Sequence, residues 1–430
     1  MGRAAGPGRG SVRRPCRGGL RPSPAGGLLR CRAGFRRRPC LRAGIRASHR
    51  ASEASGIGGG VRLWPRSGSQ RDIQRRETRM GKTGKAADLL NFLANPRKDI
   101  EIFGMFGPGN LGDEAMLVAA LDSLPRTRCT PWQSYPNRPL LNRLIRNRRH
   151  RDLLVGGGTL IHGGRTGWLD YVEMRSRQGA RVSFFGTGMA FTDAQIAGES
   201  EAFRRWRAVL ERSQEVHLRG PQSVALCRHM GVQADIFGDF AFLLHRPDIP
   251  LRDHGARRDA IGLNVGNCLG DQAAYEEACI ALVRHLQSRH RLVFYVVVDT
   301  DMAATRRVIE RAALPEAGFS IERHYVDPYG FMHSVRNLRA FIGLKLHAAG
   351  LAMIAGVPAL MIAYQPKSRD FMAPLGKTDH LLIDLPVEAG ELLSRATDLL
   401  DRPEDFLVED RIASIAAAQR EKLEAVYMAG

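Results

Sequence analysis

Residues 341–350, Phe-Ile-Gly-Leu-Lys-Leu-His-Ala-Ala-Gly, decide the fold class of this chain. A strongly apolar run at 340–343 opens into an apolar helical pattern over 347–355, and a second apolar run follows at 359–363. Two short strands joined by a helix predict a parallel β–α–β unit. Since the helix is apolar on nearly every side, we expect it to be buried.

The same alternation of apolar runs and helical patterns extends outward to residues 99 and 384. It predicts strands at 100–106, 152–155, 181–185, 215–218, 234–237, 261–265, 292–298, 321–326, 340–343, 359–363 and 381–384, and helices at 113–124, 199–212, 221–230, 272–289, 303–313, 329–338 and 347–355. The predicted fold class is therefore α/β, with two Rossmann-like doubly wound domains that face a cleft.

A charged stretch without periodicity, 245–259, contains two prolines and is typical of a linker between the two halves. The sequence then predicts five segments. They are an Arg-rich leader at 1–79, an N-terminal Rossmann-like domain at 80–245, a linker at 246–258, a C-terminal Rossmann-like domain at 259–402 and a helical tail at 403–430. A length of 430 residues suits two such domains.

The formal net charge of +20 is concentrated in the leader. Residues 1–82 carry 20 Arg and one Lys against three acidic residues, whereas the rest of the chain carries 43 basic and 41 acidic residues. A nucleic-acid arm and a targeting segment are both acid-poor in this way, but this leader is too rich in Gly and Pro for a targeting helix. We favour translated upstream sequence ahead of a start at Met80, with a disordered tail as the alternative.

The remaining composition is that of a globular enzyme, with 44% apolar and 25% charged residues. Seven cysteines without C-x-x-C spacing predict neither a zinc site nor a disulfide framework, which favours a cytoplasmic protein. The most apolar stretch, 348–363, is 16 residues long and interrupted by glycine and proline, so no membrane span is expected.

The turn at 106–114, Phe-Gly-Pro-Gly-Asn-Leu-Gly-Asp-Glu, lies between the first predicted strand and the first long helix. In a doubly wound sheet, ligands bind at such turns. Asn110 and Gly112 are candidates for substrate binding, and Asp113 and Glu114 suit the positive N-terminus of the helix. A plain tight turn with a helix cap explains the stretch about equally well. Because the glycine spacing is not G-x-G-x-x-G, a nicotinamide cofactor is not favoured.

Two further strand ends carry candidate binding groups. Gly157 and Gly158 belong to a glycine triplet after a buried strand, where backbone amides could hold sugar hydroxyls. Arg219 follows another strand and has a guanidinium suited to a carboxylate or phosphate. Generic loop geometry and an ordinary surface ion pair remain the alternatives.

Lys345 and His347 fall at the junction of strand and helix in the opening stretch. The first turn of a buried helix binds anions through free amides, and a histidine there can bind phosphate or donate a proton. A core histidine that satisfies a backbone group is the alternative. Lys367 follows the next strand on the same edge of the sheet. With Arg219, these residues predict a receptor for a small, highly anionic molecule.

Taken in order, these segments resemble the polysaccharide pyruvyl transferase family. That family shares an N-x-G-D-E turn, a glycine triplet after a buried strand, an R-D-x-x-S-like motif, an R/K-L-H motif and a Y-x-x-K motif. The corresponding stretches here are Asn110–Glu114, Gly156–Gly158, Arg219–Ser223, Lys345–His347 and Tyr364–Lys367. The resemblance covers roughly residues 100–384.

The resemblance implies a GT-B-like fold, phosphoenolpyruvate as donor and a cyclic pyruvate ketal on two hydroxyls of a bacterial surface polysaccharide or a lipid-linked oligosaccharide. It implies no cofactor and no obligatory metal. Arg219, His347 and Lys367 would hold the donor in the C-terminal half, and the acceptor would lie toward the N-terminal half. His347 is the candidate acid. Asp113 is the first candidate for the base, with Glu114 and Asp239 as others.

This chain departs from the family pattern at two positions. Gly220 stands where the family often has Asp, and Lys345 replaces the commoner arginine, keeping the charge without the bidentate fork.

Two other functions remain open from the sequence. A nucleotide-sugar glycosyltransferase would share the architecture. However, the carboxylate expected for a nucleotide ribose is not evident after 340–364, where Lys367 and Arg369 precede Asp370. A non-enzymatic binder of anionic polymers would depend on the leader and leave the cleft cations unexplained. We expect no nucleic-acid partner and at most a peripheral association with a membrane.

Overall fold

A computed structural model describes residues 99–106, 109–125, 129–131, 151–164, 167–248 and 259–428. The predicted leader at 1–79 and most of the predicted linker at 246–258 lie outside these residues. All the described residues belong to one compact unit.

In the described part of the first half, a six-stranded parallel sheet has the order β2-β1-β3-β5-β7-β8. Its strands are β1 (Ile100–Phe103), β2 (Cys129–Pro131), β3 (Asp152–Gly156), β5 (Arg181–Thr187), β7 (Glu215–Leu218) and β8 (Asp235–Ile236). A short parallel pair, β4 (Ile161–His162) and β6 (Met189–Ala190), lies beyond the ends of β3 and β5. The helices are α1 (Leu111–Ser123), α2 (Gly167–Arg177), α3 (Asp193–Ala197), α4 (Glu201–Leu210) and α5 (Pro221–His229).

The described part of the second half is built on another six-stranded parallel sheet, in the order β11-β10-β9-β12-β13-β14. Counted within this half, the order is 3-2-1-4-5-6, that of dinucleotide-binding Rossmann domains. The strands are β9 (Ala260–Asn264), β10 (Arg291–Val296), β11 (Phe319–Arg323), β12 (Ala340–Gly343), β13 (Ala359–Ala363) and β14 (Leu382–Asp384). The helices are α6 (Gln272–Gln287), α7 (Met302–Ala312), α8 (Pro328–Val335), α9 (Leu346–Ile354), α10 (Pro366–Met372), α11 (Thr378–Leu381) and α12 (Ala389–Asp401).

The opening stretch folds as predicted. Every residue of β12 and β13 is buried, as expected for parallel strands covered on both faces. Every residue of α9 is buried except His347. The apolar pattern therefore fixed the position of this helix, and its one partly exposed side chain lies in its first turn.

The chain ends on the first half. A 3-10 turn at Pro403–Phe406 precedes α13 (Glu409–Tyr427). The Gln419 amide of α13 donates to the carbonyls of Phe237 (2.9 Å) and Asp239 (3.0 Å). Helix α13 thus supports the segment that follows β8.

The predicted α/β fold class, with two Rossmann-like sheets, is confirmed. The pattern missed several elements, including β2, α2, α10 and α12. Helix α2 illustrates the cause, since it buries only four residues and one of them is Arg175. Among the described helices, none is both long and apolar enough to cross a membrane.

Candidate functional site

The carboxyl ends of the two sheets meet where their strand orders reverse. In the first sheet the reversal lies between β1 and β3, and in the second between β9 and β12. Ligands of doubly wound sheets bind at such points. The halves touch here through the backbone, since Asn110 forms an antiparallel bridge with Val298 and the Leu111 amide donates to the Val297 carbonyl at 3.0 Å.

The turn before α1 brings the first half against His347. Asn110 caps α1 by accepting from the Gly112 amide at 3.1 Å. A Cβ at Gly112 would overlap Nδ1 of the His347 imidazole. Glycine at this position therefore admits the histidine ring from the other half.

His347 pairs with a buried carboxylate. Its Nε2 lies 3.4 Å from Asp239 Oδ1, which also accepts from the Ala241 amide at 3.0 Å. Asp239 is fully buried, and burial opposes its ionisation. The His347 charge and hydrogen bond, the Arg219 charge and the Ala241 amide outweigh burial, so the pKa of Asp239 is lowered. Because an ionised carboxylate only accepts, Nε2 carries the proton and Nδ1 is left for exchange.

Asp113 lies in the first turn of α1 and is only 5% exposed. Burial raises its pKa to about 6, and Asp239 adds to the rise, while the charges of His347 and Lys367 oppose it. Its Oδ2 is buried without a hydrogen-bond partner among the described residues. A carboxyl with this pKa changes protonation state close to neutral pH, which suits proton transfer.

Arg219, at the end of β7, is almost completely buried. Its Nη2 donates to Thr159 Oγ1 at 3.1 Å, and its Nε lies 3.7 Å from Asp370 Oδ2. A Cβ at Gly188 would overlap the guanidinium, so this glycine makes room for it. The arginine is held between the halves.

Lys345 precedes α9 and is neutralised by Asp301. Its Nζ lies 3.3 Å from Asp301 Oδ1 and donates to the Asn267 carbonyl at 3.1 Å. Asp301 is fully buried, and burial raises the pKa of its carboxyl despite the Lys345 charge. Lys345 therefore compensates a buried carboxylate instead of offering a free charge to a ligand.

Lys367, in α10, differs from the other three cations of the cleft. Among the described residues no carboxylate lies within 4 Å of its Nζ. Its Nζ stands 5.2 Å from the centre of the Tyr364 ring, and Lys345 stands 5.0 Å from it. Burial lowers the pKa of Lys367, and Arg219 adds to this, while Asp113 and Asp239 oppose it. A partly buried ammonium without a counter-ion is suited to an anionic ligand.

The glycine triplet adopts positive φ at Gly157 (83°) and Gly158 (76°), which favours glycine. The Gly158 amide donates to Met116 Sδ at 3.2 Å, and its carbonyl accepts from the Gly188 amide at 2.9 Å. The backbone of Gly158 is thus used within the first half. A Cβ at Gly157 would press on the Phe106 ring.

The structure brings all the predicted motifs to the facing edges of the sheets and adds two carboxylates that the sequence reasoning did not place there, Asp301 and Asp370. Asp301 ends the 3-10 turn at Asp299–Asp301, which carries no motif. Asp370 lies in α10, three residues after the Lys367 that ends the Tyr364–Lys367 motif, and proximity to that motif was the one sequence signal that pointed to it. Asp239, considered as a base, pairs with His347 and caps the 3-10 turn at Phe240–Leu244. Glu114 is partly exposed on α1.

Comparison with known proteins identifies the family. A family model described as polysaccharide pyruvyl transferase matches residues 110–366, more than half of the chain and parts of both sheets. No curated protein matches this chain.

Solved structures show the fold. A putative UDP-N-acetylglucosamine 2-epimerase from Listeria monocytogenes has a TM-score of 0.51 and 13% identity, covering 76% of this chain and 96% of that chain. The S. aureus MnaA-UDP co-structure also has a TM-score of 0.51, with 11% identity over 76% of this chain and 96% of that one. At such identities the likeness establishes a GT-B-like arrangement of two Rossmann-like domains facing a cleft, and nothing about substrates.

Proposed function

Because this chain belongs to the polysaccharide pyruvyl transferase family, we propose that it transfers pyruvate from phosphoenolpyruvate to a bacterial surface polysaccharide. The product is a cyclic ketal on two sugar hydroxyls, and the acceptor is the polysaccharide or its lipid-linked precursor. The reaction takes place in the cytoplasm and needs phosphoenolpyruvate as its only small-molecule donor.

One observation carries the proposal. His347, from the second half, contacts both the N-x-G-D-E turn and Asp239 of the first half. Asp113 belongs to that turn, and the charges of His347 and of the unpaired Lys367 both act on its carboxyl. Stretches more than 100 residues apart thus form one polar site at the reversal points of both sheets. A donor with a phosphate and a carboxylate matches one free ammonium, one buried guanidinium and the first turn of α9.

The residues divide the chemistry as follows. His347 Nδ1 donates a proton to the methylene carbon of the donor, and Asp239 stabilises the imidazolium. One sugar hydroxyl attacks the cationic carbon and loses its proton, phosphate leaves with its bonding electron pair, and the second hydroxyl closes the ketal. Two protons leave the hydroxyls, one of which restores the acid while the other leaves with phosphate. Asp113 accepts from the hydroxyl the proton that leaves with phosphate and passes it to the departing phosphate, so its carboxylate is regenerated at the end of the cycle.

The binding residues stabilise the charge that develops on phosphate. Lys367 and Arg219 hold the phosphate and carboxylate, and Lys345 orients the first turn of α9 through Asp301. The loop at Asn110 and Gly112 and the turn at Gly157 and Gly158 border the acceptor side. Fixed cations in a partly buried site need little reorganisation as phosphate departs.

Thermal unfolding of the full chain tests the donor. A ligand that binds only the native state raises stability, by about 2.7 kcal/mol at 100 times its dissociation constant, or a few degrees. We expect a shift with phosphoenolpyruvate that disappears in His347→Ala and Arg219→Ala and persists in His285→Ala, a substitution on the exposed side of α6. A shift with UDP- or GDP-sugars alone would contradict the proposal and favour a glycosyltransferase.

A further inference from the structure

A carboxylate from the second half occupies the N-terminus of a first-half helix. Asp370 Oδ1 accepts from the backbone amides of Gln222 (3.0 Å) and Ser223 (3.3 Å), and Oδ2 accepts from Ser223 Oγ at 2.5 Å. Asp370 is only 2% exposed. A buried charge with three such donors is well satisfied, and it suits the positive end of α5.

Only glycine at position 220 permits this contact. A Cβ on Gly220 would overlap the backbone oxygen of Asp370, which cannot turn away as a side chain could. Gly220 has an extended backbone with φ −157°, so it is needed for close approach and not for its conformation. Position 220 is also where the family pattern often carries Asp. In this chain the second half supplies a carboxylate beside that position.

The same residue is linked to both donor-binding cations, to one through space and to the other through helix α10. Arg219 Nε is 3.7 Å from Asp370 Oδ2, on the first-half side. Lys367 precedes Asp370 by three residues, one turn of α10, on the second-half side. Ser223 ties the contact to β6 of the short strand pair, because its Oγ also accepts from the Met189 amide at 2.9 Å.

We propose that Asp370 is a positioning residue that joins α10 to the N-terminus of α5 and so holds Arg219 and Lys367, one from each half, at one donor site. The inference rests on the proposed function for the identity of the donor. Asp370 itself does not contact the donor, because its oxygens are taken up by α5.

A role in charge balance alone makes the opposite prediction. If Asp370 only neutralised Arg219, removing its charge would free the guanidinium, and anions would bind more tightly. If Asp370 positions the cations through hydrogen bonds, its loss separates them and weakens binding, whereas an isosteric amide oxygen still accepts from the α5 amides.

Calorimetric titration of the full chain with phosphoenolpyruvate separates these roles. For Asp370→Ala we expect a dissociation constant raised at least about tenfold, and for Asp370→Asn a value within about threefold of wild type. Gly220→Ala, which changes no charge, should also weaken binding by about tenfold or more, because its Cβ forces α10 away. A misfolded fraction would lower the stoichiometry and leave the dissociation constant of the folded fraction unchanged.

Two matched controls accompany these variants. Asp379→Asn removes a carboxylate whose side chain is 96% exposed, and Gly390→Ala adds a methyl group where nothing lies within 4 Å of the new Cβ. Both should bind phosphoenolpyruvate as the wild type does. Tighter binding by Asp370→Ala, or wild-type binding by Gly220→Ala, would overturn the inference.

Hydrogen exchange in the absence of ligand distinguishes an error in the role given to Asp370 from an error in the proposed function. The amides of Gln222 and Ser223 should exchange faster in Asp370→Ala than in wild type, with Asp379→Asn unchanged. Unaltered exchange would show that Asp370 does not hold α5. If the wild type fails to bind phosphoenolpyruvate, the proposed function is wrong and donor positioning falls with it, while the exchange result still decides whether the halves are joined here.

Discussion

Two helices begin at the cleft after a strand end, and they differ in whether a side chain of the protein accepts from their first backbone amides. Helix α5 follows Gly220, and its first amides are taken by the Asp370 carboxylate. Helix α9 follows Lys345, and in the described part of the chain no side chain accepts from its first two amides, at Leu346 and His347. The first terminus is closed by the protein itself, whereas the second has no such side-chain acceptor in the described part of the chain, as the proposed donor site requires.

The difference teaches how charge is distributed in this site. Asp239, Asp301 and Asp370 are each at most 2% exposed, and they pair with His347, Lys345 and Arg219 respectively. Of the four cations predicted for the cleft, only Lys367 lacks such a partner among the described residues. Three of the four cations that the sequence predicted for the cleft are therefore paired with buried carboxylates, and the fourth is an ammonium with no carboxylate within 4 Å in the described part of the chain.

The largest expected effect is that of Lys345→Met, which removes the cation that pairs with Asp301 beside α9. It leaves the Asp301 carboxylate buried without its cation, a change that costs about 3 to 5 kcal/mol in comparable pairs. We expect a matching loss in the free energy of unfolding at pH 8, measured by denaturant titration, and a smaller loss near pH 5, where Asp301 binds a proton more readily. Lys345→Arg is the control. Equal stability of Lys345→Met and wild type would show that the pair is not compensating.

His347→Ala tests whether the open terminus is catalytic. If His347 is the acid, ketal formation with an acceptor polysaccharide should slow about a hundredfold or more per folded molecule. The unfolding temperature should fall as well, because the buried Asp239 carboxylate loses its partner, so the rate is measured well below the unfolding transition of the variant. Turnover close to wild type would rule out the assignment. Asp239→Asn should reduce the rate less and shift its pH dependence, because the imidazolium loses its stabilising charge.

Asp113→Asn tests, through the free energy of unfolding, whether a buried carboxylate at the N-terminus of α1 destabilises the protein. The native pKa of Asp113 lies above its unfolded value of 3.8, so the native state binds protons more tightly and wild-type stability falls as pH rises from about 4 to about 6. Above pH 6 the full cost is present, about 2 to 3 kcal/mol. We expect Asp113→Asn to be more stable than wild type by about this amount at pH 8 and equal to it at pH 3, by thermal or urea unfolding. Equal stability of the variant and the wild type at pH 8 would show that the buried Asp113 carboxylate does not destabilise the native state.

Lys367→Met should have the smallest effect and only on the ligand. The ammonium has no carboxylate partner to lose, so the variant should unfold at the same temperature or a higher one. Its dissociation constant for phosphoenolpyruvate should rise about tenfold, or about 1.4 kcal/mol. Lys377→Met, outside the cleft, is the control for loss of a lysine. A variant that binds the donor like wild type would remove Lys367 from the site.

The fold was predictable where apolar periodicity is strong. The run at 340–363 gave β12, α9 and β13 because parallel strands and their crossover helix are buried on all sides. Helices α2 and α10 were missed, since their buried residues include polar ones whose partners lie far away in the sequence. The convergence of these residues in the cleft was predictable, because each follows a parallel strand and such ends share one edge.

The sequence alone determined the two α/β halves, the motifs at their strand ends and the resemblance to a family. Local periodicity and turn chemistry depend on neighbouring residues, which a sequence displays directly. Tertiary structure alone decided which charges are free. The pairs His347–Asp239, Lys345–Asp301 and Arg219–Asp370 join residues 44 to 151 positions apart, and only folding fixes their distance, burial and protonation.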